Sequence, residues 1–214
     1  MPRIGITWSF MRAAVLPLAA AVWMTGAGTG FVALAAYKAT PGPALRSPGD
    51  WPAGTALQPG ARFTLVLFAH PRCPCTRASL SQLREVLSSH GEGVRAYVVL
   101  VRPRGAPAGF ERSALWASAA SIPGVTVVAD PDGAEAERFR ADTSGHAALY
   151  DAAGRLRFSG GLTSSRGHQG DSPGQDAVRA ILSGRALPGG AGGDGAPVFG
   201  CPVQDAPAPP VEEG

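Results

Sequence analysis

Between residues 62 and 182 the chain alternates short apolar runs with stretches whose apolar positions recur at helical spacing. Residues 62–69, RFTLVLFA, form a β-rich apolar run that predicts a buried strand. Residues 76–89 carry Leu80, Leu83, Val86 and Leu87 on one helical face, with Gly91 as a stop. Residues 94–101, VRAYVVLV, predict a second buried strand. Residues 110–121 predict a helix with Leu115 and Trp116 inward, and residues 125–129, VTVVA, a third strand. A short helix is expected over 131–141. Two short strands are expected over 147–150 and 155–159, joined by the tight turn DAAG. Ser172 then caps a last helix with Pro173 at its first position and Val178, Ile181 and Leu182 on one face. The order is βαβαβαββα. Strand–helix alternation predicts parallel pairing with right-handed crossovers, closed by an antiparallel hairpin.

The ends of the chain follow a different pattern. Residues 13–37 contain no charge, long enough for a helix to span a bilayer, with Arg3 and Arg12 before them and Lys38 after. The positive-inside bias places residues 1–12 in the cytoplasm and the rest outside, as a single-pass inner-membrane protein with a periplasmic or extracytoplasmic domain. A cleaved signal sequence is the competing reading, since Ala33-Leu34-Ala35 resembles a small-residue cleavage site. Residues 38–61, rich in proline and glycine, predict a linker or loosely packed arm. The folded domain is expected over 62–184. Residues 185–214 are expected to be a flexible Gly/Pro-rich tail containing Cys201.

Composition narrows the chemistry. Of 214 residues, 45% are hydrophobic and only 16% charged, so the domain stands on an apolar core. The net charge of +3 comes largely from scattered arginines without a basic run, so nucleic acid is not an expected partner. Three cysteines are too few for a disulfide-stapled scaffold, and their odd number leaves at least one without an intrachain partner. Export would put them where disulfides form.

Two of the three lie in FAHPRCPCTRASL, residues 68–80, at the turn from the first strand to the first helix of the domain. Free N–H groups and the positive end of the helix dipole favour a thiolate there, and Arg72 and Arg77 add positive charge. Such placement lowers a cysteine pKa and makes Cys73 a candidate nucleophile. His70, three residues earlier, could support that thiolate or bind a metal. As a plainer alternative it packs beside the turn.

These residues resemble the thioredoxin superfamily, especially its membrane-anchored TlpA/ResA-like group, whose motif reads FWA-x-WCPPCRAEL. LYDAAGRLRFSGGL, residues 149–162, is similar to that group's LIDxxGxIxxxxxG hairpin. The set most resembled is the RedB proteins, through FAHPRCPCTRASL, TSGH, SGG-T-SRGH and FGCP. The resemblance covers roughly residues 62–182. It implies a thioredoxin-like α/β sandwich, a central mixed sheet flanked by helices, with an extra helix and strand between its usual halves. It also implies a thiol–disulfide oxidoreductase acting on protein thiols or disulfides without a cofactor. By this alignment Cys73 is the attacking cysteine, Thr76 stands where the resolving cysteine is usual, and Cys75 lies between them. The usual cis-proline position falls on Gly145, and its loop would bring His146 to face the cysteines. His168, Asp171 and Ser172 are expected in structural roles.

Three schemes compete. In the first, Cys73 attacks a substrate disulfide and Cys75 or Cys201 resolves the mixed disulfide. A Cys73–Cys75 bond would close a very small, strained and oxidising ring. In the second, Cys73 and Cys75 with His70 or His146 bind copper, or with Cys201 bind zinc, in a metal-binding or metallochaperone role. In the third, Cys73 is a peroxidatic cysteine. His70 in place of the threonine that peroxiredoxins carry three residues earlier argues against this.

Overall fold

A computed structural model describes residues 8–185 and 195–204, with side chains from Val15 onward. The chain divides into two units, residues 1–39 and 40–214.

The first unit is one helix, α1 (Trp8–Ala39), which runs through Pro17. Its Val15–Ala39 portion is long and apolar enough to cross a membrane, as an anchor or a signal sequence would be. At about 1.5 Å per residue it exceeds a ~30 Å hydrocarbon layer. Thr25 and Thr29 return their hydroxyls to the carbonyls of Ala21 and Thr25, each at 2.8 Å, so these polar groups need no water.

The second unit holds a five-stranded sheet made of β1 (Phe63–Ala69), β2 (Val94–Arg102), β3 (Val125–Pro131), β4 (His146–Asp151) and β5 (Leu156–Gly161), in the order β3-β2-β1-β4-β5. β1, β2 and β3 are parallel, while β4 runs antiparallel to β1 and β5 antiparallel to β4. Six of the seven residues of β1 are buried, as a central strand covered on both faces requires.

Strand alternation divides the core in two. Leu65, Leu67, Val98, Leu100 and Leu149 meet α2 (Thr76–His90), α3 (Ala114–Ala120) and α5 (Pro173–Leu182). Val66, Phe68, Val99, Ala148 and Tyr150 meet Phe139 and the short α4 (Ala134–Arg138) on the other face.

Helix starts follow local chemistry. Ser172 accepts the Gln175 amide at 3.1 Å, and Pro173 begins α5 as expected. α3 begins later than the apolar pattern predicts because Ser113 caps it, accepting the Leu115 amide at 3.2 Å. α4 is shortened by the positive φ of Asp132 and Gly133. Asp130 holds its first turn by accepting the Glu135 and Ala136 amides, each at 2.9 Å.

The expected linker at 38–61 is, from Thr40, part of the domain. Trp51 packs edge-on against Phe139 and Tyr150, with ring centroids 5.3 and 5.1 Å away. Leu57 is buried, and the Trp51 amide bonds the Gly154 carbonyl at 2.7 Å. Proline-rich composition suits an extended arm, and a few large apolar side chains are enough to dock it. The expected tail differs in the same way. Residues 186–194 and 205–214 lie outside the described residues, whereas 195–204 pack as a strap with Val198, Phe199 and Val203 buried.

Candidate active site: a three-thiol cluster

The turn after β1 sets the geometry. The Cys73 amide donates to the His70 carbonyl at 3.1 Å, and the Cys73 carbonyl accepts the Thr76 amide at 3.2 Å. Cys75 is the N-cap of α2, in the right-handed helical region, and its carbonyl accepts the Ala78 amide at 3.1 Å. Pro74 has no amide hydrogen, so the Cys75 N–H is the next one available to the Cys73 sulfur.

The strap completes the site. It pairs with the loop before β4: the Ser144 amide donates to the Cys201 carbonyl at 2.8 Å, and the Val203 amide to the Asp142 carbonyl at 2.9 Å. Thr143 and Pro202 face each other as an antiparallel bridge. This register brings the Cys201 amide to 3.4 Å from Cys73 Sγ. Gly200 is required in the strap because a Cβ there would overlap the Ser144 carbonyl oxygen. Cys73 is 1% exposed, Cys75 is buried and Cys201 is half-buried, all as free thiols.

The three thiols are electrostatically unequal. Burial pushes the Cys73 pKa up, but hydrogen bonds from the Cys201 amide and thiol, the Thr76 hydroxyl and the Cys75 amide outweigh it, and the net shift is downward. Cys75 is raised by burial, by the charge on Cys73 and by its hydrogen bond to Cys73. Cys201 is pushed up to about 12 by burial, its bond to Cys73 and the neighbouring thiolate charge. Cys73 is therefore the thiol whose ionised form the cluster favours, while Cys75 and Cys201 are shifted toward the protonated form.

Thr76 draws its orientation from a hydrogen-bonded chain. The His70 amide donates to Ser144 Oγ at 2.9 Å, and Ser144 Oγ lies 2.8 Å from Thr76 Oγ1. Because the Thr76 hydroxyl is committed to the Cys73 sulfur, Ser144 is the donor between them.

The other expected site residues have partners of their own. The His70 ring packs 5.8 Å from the Phe110 ring, and its Nδ1 accepts the Arg72 amide at 3.2 Å. The Arg72 guanidinium lies over the Phe110 ring at 4.3 Å, a cation–π contact. His146 lies on the sheet face opposite α2, because it shares the alternation of Ala148 and Tyr150. Its Nε2 bonds Ser159 Oγ at 3.0 Å and Ser47 Oγ at 3.2 Å, and it lines a cavity of about 280 Å³ between the arm and the strap. Burial lowers its pKa to about 4.

Gly145 has φ +94°, and its amide donates to the Phe68 carbonyl at 2.8 Å, two features that proline cannot supply. No cis peptide bond occurs among the described residues.

Two site residues escape a linear reading. Ser144 sits in TSGH and looks like a turn residue until the fold places it over Thr76. Arg166 sits in SSRGH after β5. Its guanidinium bonds the Gly200 carbonyl, reaches the Thr40 carbonyl at 3.3 Å, and favours thiolate at Cys75 and Cys201. Its sequence signal is an arginine in a glycine- and serine-rich loop within the SRGH segment, which assigns it no role. Arg166 is thus a cation beside Cys75 and Cys201. Among the described residues, no three His, Cys, Asp or Glu side chains are arranged to hold a metal ion.

No protein-family model and no curated protein matches this sequence. Solved structures do match. An uncharacterized conserved protein from Geobacillus kaustophilus is 17% identical over 80% of this chain and 92% of its own, with a TM-score of 0.56. A hypothetical protein from Sinorhizobium meliloti is 21% identical over 77% of this chain and 94% of its own, with a TM-score of 0.55. An exposed lipoprotein thioredoxin from Streptococcus pneumoniae is 20% identical over 58% of this chain and 86% of its own, with a TM-score of 0.43. The first two share the fold of this domain, and its strand order and helix placement make it a thioredoxin-like α/β sandwich.

Proposed function

We propose that this protein is a membrane-anchored, extracytoplasmic thiol–disulfide oxidoreductase whose nucleophile is Cys73 in the Cys73-Pro74-Cys75 turn. The observation that carries this reading is the convergence of donors on one sulfur. The Cys201 and Cys75 amides, the Cys201 thiol and the Thr76 hydroxyl all favour its thiolate. A cysteine at a helix N-terminus whose ionised form is favoured can attack a disulfide, and a neighbouring thiol then resolves the mixed disulfide. The substrate is a protein disulfide or dithiol, and no cofactor is needed. α1 supplies the anchor, with the domain on the periplasmic side.

Cys73→Ser should abolish reduction of a protein disulfide by the full-length protein, a loss of at least about a hundredfold. Unchanged turnover would remove this assignment. The competing reading is a soft-metal site of copper or zinc on the same thiols. Stoichiometric metal in the reduced protein, lost in a Cys73→Ser/Cys75→Ser double variant, would replace the oxidoreductase reading.

A further inference from the structure

We propose that the redox partner of Cys73 is Cys201, carried to it by the C-terminal strap, and that oxidation closes a Cys73–Cys201 disulfide that locks the strap onto the domain. The inference rests on the oxidoreductase reading and identifies its second thiol.

Three observations carry it. The strap reaches the site through paired backbone. Its hydrogen bonds to Asp142 and Ser144 and its buried Val198, Phe199 and Val203 set its position, and the Arg166 guanidinium holds the Gly200 carbonyl. Cys201 arrives beside it, with its amide 3.4 Å from Cys73 Sγ and its thiol among the groups that favour that sulfur's thiolate. Cys75, by contrast, is fixed to the same turn. It is the N-cap of α2 with its carbonyl bonded to Ala78, and only Pro74 separates it from Cys73. Its thiol also reaches Cys73 Sγ, but a disulfide between residues separated only by Pro74 would close a small, strained ring within the turn that starts α2. Cys201 lies on a separate segment and can close the bond by a small shift of the strap.

The electron count balances in two steps. The Cys73 thiolate attacks one sulfur of the substrate disulfide, whose S–S bond breaks, and one half leaves as thiolate. Cys201 gives its proton to that thiolate and attacks Cys73 Sγ. The mixed disulfide breaks, the Cys73–Cys201 bond forms, and the second half leaves as thiolate to be protonated by water. Two electrons pass from the enzyme thiols to the substrate, and a dithiol donor restores them. The order of events is built into the cluster. Burial and the Cys73 thiolate hold Cys201 protonated. Once Cys73 enters a mixed disulfide its charge is gone, which removes the thiolate's share of that effect and favours ionisation of Cys201 beside Arg166.

The test uses reduced full-length protein and oxidised glutathione, with acid quenching, alkylation and mass mapping of disulfides. The wild-type protein should yield the Cys73–Cys201 linked peptide and release both glutathione halves. Cys201→Ser, which keeps the backbone amide and the residue size, should accumulate a Cys73–glutathione adduct. Release of its second glutathione should slow by on the order of tenfold or more, through loss of an intramolecular thiol. Cys75→Ser should still form the Cys73–Cys201 peptide. A Cys73–Cys75 bond in the wild-type protein, or trapping of the adduct by Cys75→Ser in place of Cys201→Ser, would overturn the assignment of Cys201. Absence of a Cys73 adduct in every variant would instead overturn the oxidoreductase reading itself. The wild-type map needs no variant to fold.

Discussion

Cys73 illustrates how a residue's chemistry is set by hydrogen bonds more than by nearby formal charge. Arg72 adjoins it in sequence but lies over Phe110, whereas uncharged groups of Thr76 and Cys201 reach the sulfur. Thr76 occupies the position at which the thioredoxin resemblance calls for a resolving cysteine, and here it acts as a donor to the thiolate. Thr76→Val removes that donor while keeping the shape of the side chain. At neutral pH, alkylation of Cys73 by iodoacetamide should slow by on the order of tenfold, the effect of losing one hydrogen bond to a charged group. Its pH profile should move to higher pH, because the ionised form loses support. A profile identical to wild type would show that Thr76 plays no part in activating Cys73.

Among the elements, the strap and α2 decide the site together. The turn places a thiol at the end of α2, and the strap contributes an amide and a second thiol to it. The close approach of Gly200 to the Ser144 carbonyl makes the strap sensitive to one methyl group. Gly200→Ala should lift it at a cost of about 1–3 kcal/mol, the usual range for overpacking a tight contact. Alkylation of Cys201 should then accelerate by on the order of tenfold, since opening of a local segment controls its access. Cys73 should lose thiolate character in the same variant, because its Cys201 donors leave with the strap. Unaltered Cys201 reactivity would mean that Gly200 does not hold the strap in place.

At the scale of the whole molecule, His146 ties domain stability to acidity. It joins β4 to the arm through Ser47 and to β5 through Ser159, and its Nδ1 is buried without a hydrogen-bond partner. Burial holds its folded pKa at about 4, against 6.5 for a free histidine. Below pH 6.5 the unfolded chain takes up a proton that the folded domain refuses until about pH 4. The contribution of neutral His146 is therefore fully present above pH 6.5 and is lost as pH falls through that window. The loss amounts to on the order of 3 kcal/mol. Urea unfolding midpoints measured between pH 7 and pH 4 should fall accordingly, and His146→Gln should flatten the decline. An equal slope in the variant would assign the acid sensitivity to other groups.

The sequence by itself determined the elements of the domain and their order. Each strand and helix is written in a local period, two for the strands and 3.6 for the helices, and the cysteine turn lies at the junction of two such periods. It also determined the apolar N-terminal helix, because length and absence of charge are local properties too. Tertiary structure alone decided which residues gather around the thiols. Ser144, Arg166 and Cys201 come from three loops far from residue 73 in sequence, and loops carry no period from which a partner can be read. His146 was expected beside the thiols, yet strand alternation turns it to the opposite face of the sheet. The proline- and glycine-rich ends read as mobile because composition averages over residues. Trp51, Leu57, Val198 and Phe199 dock them because burying a few large side chains offsets the entropy of an otherwise flexible segment.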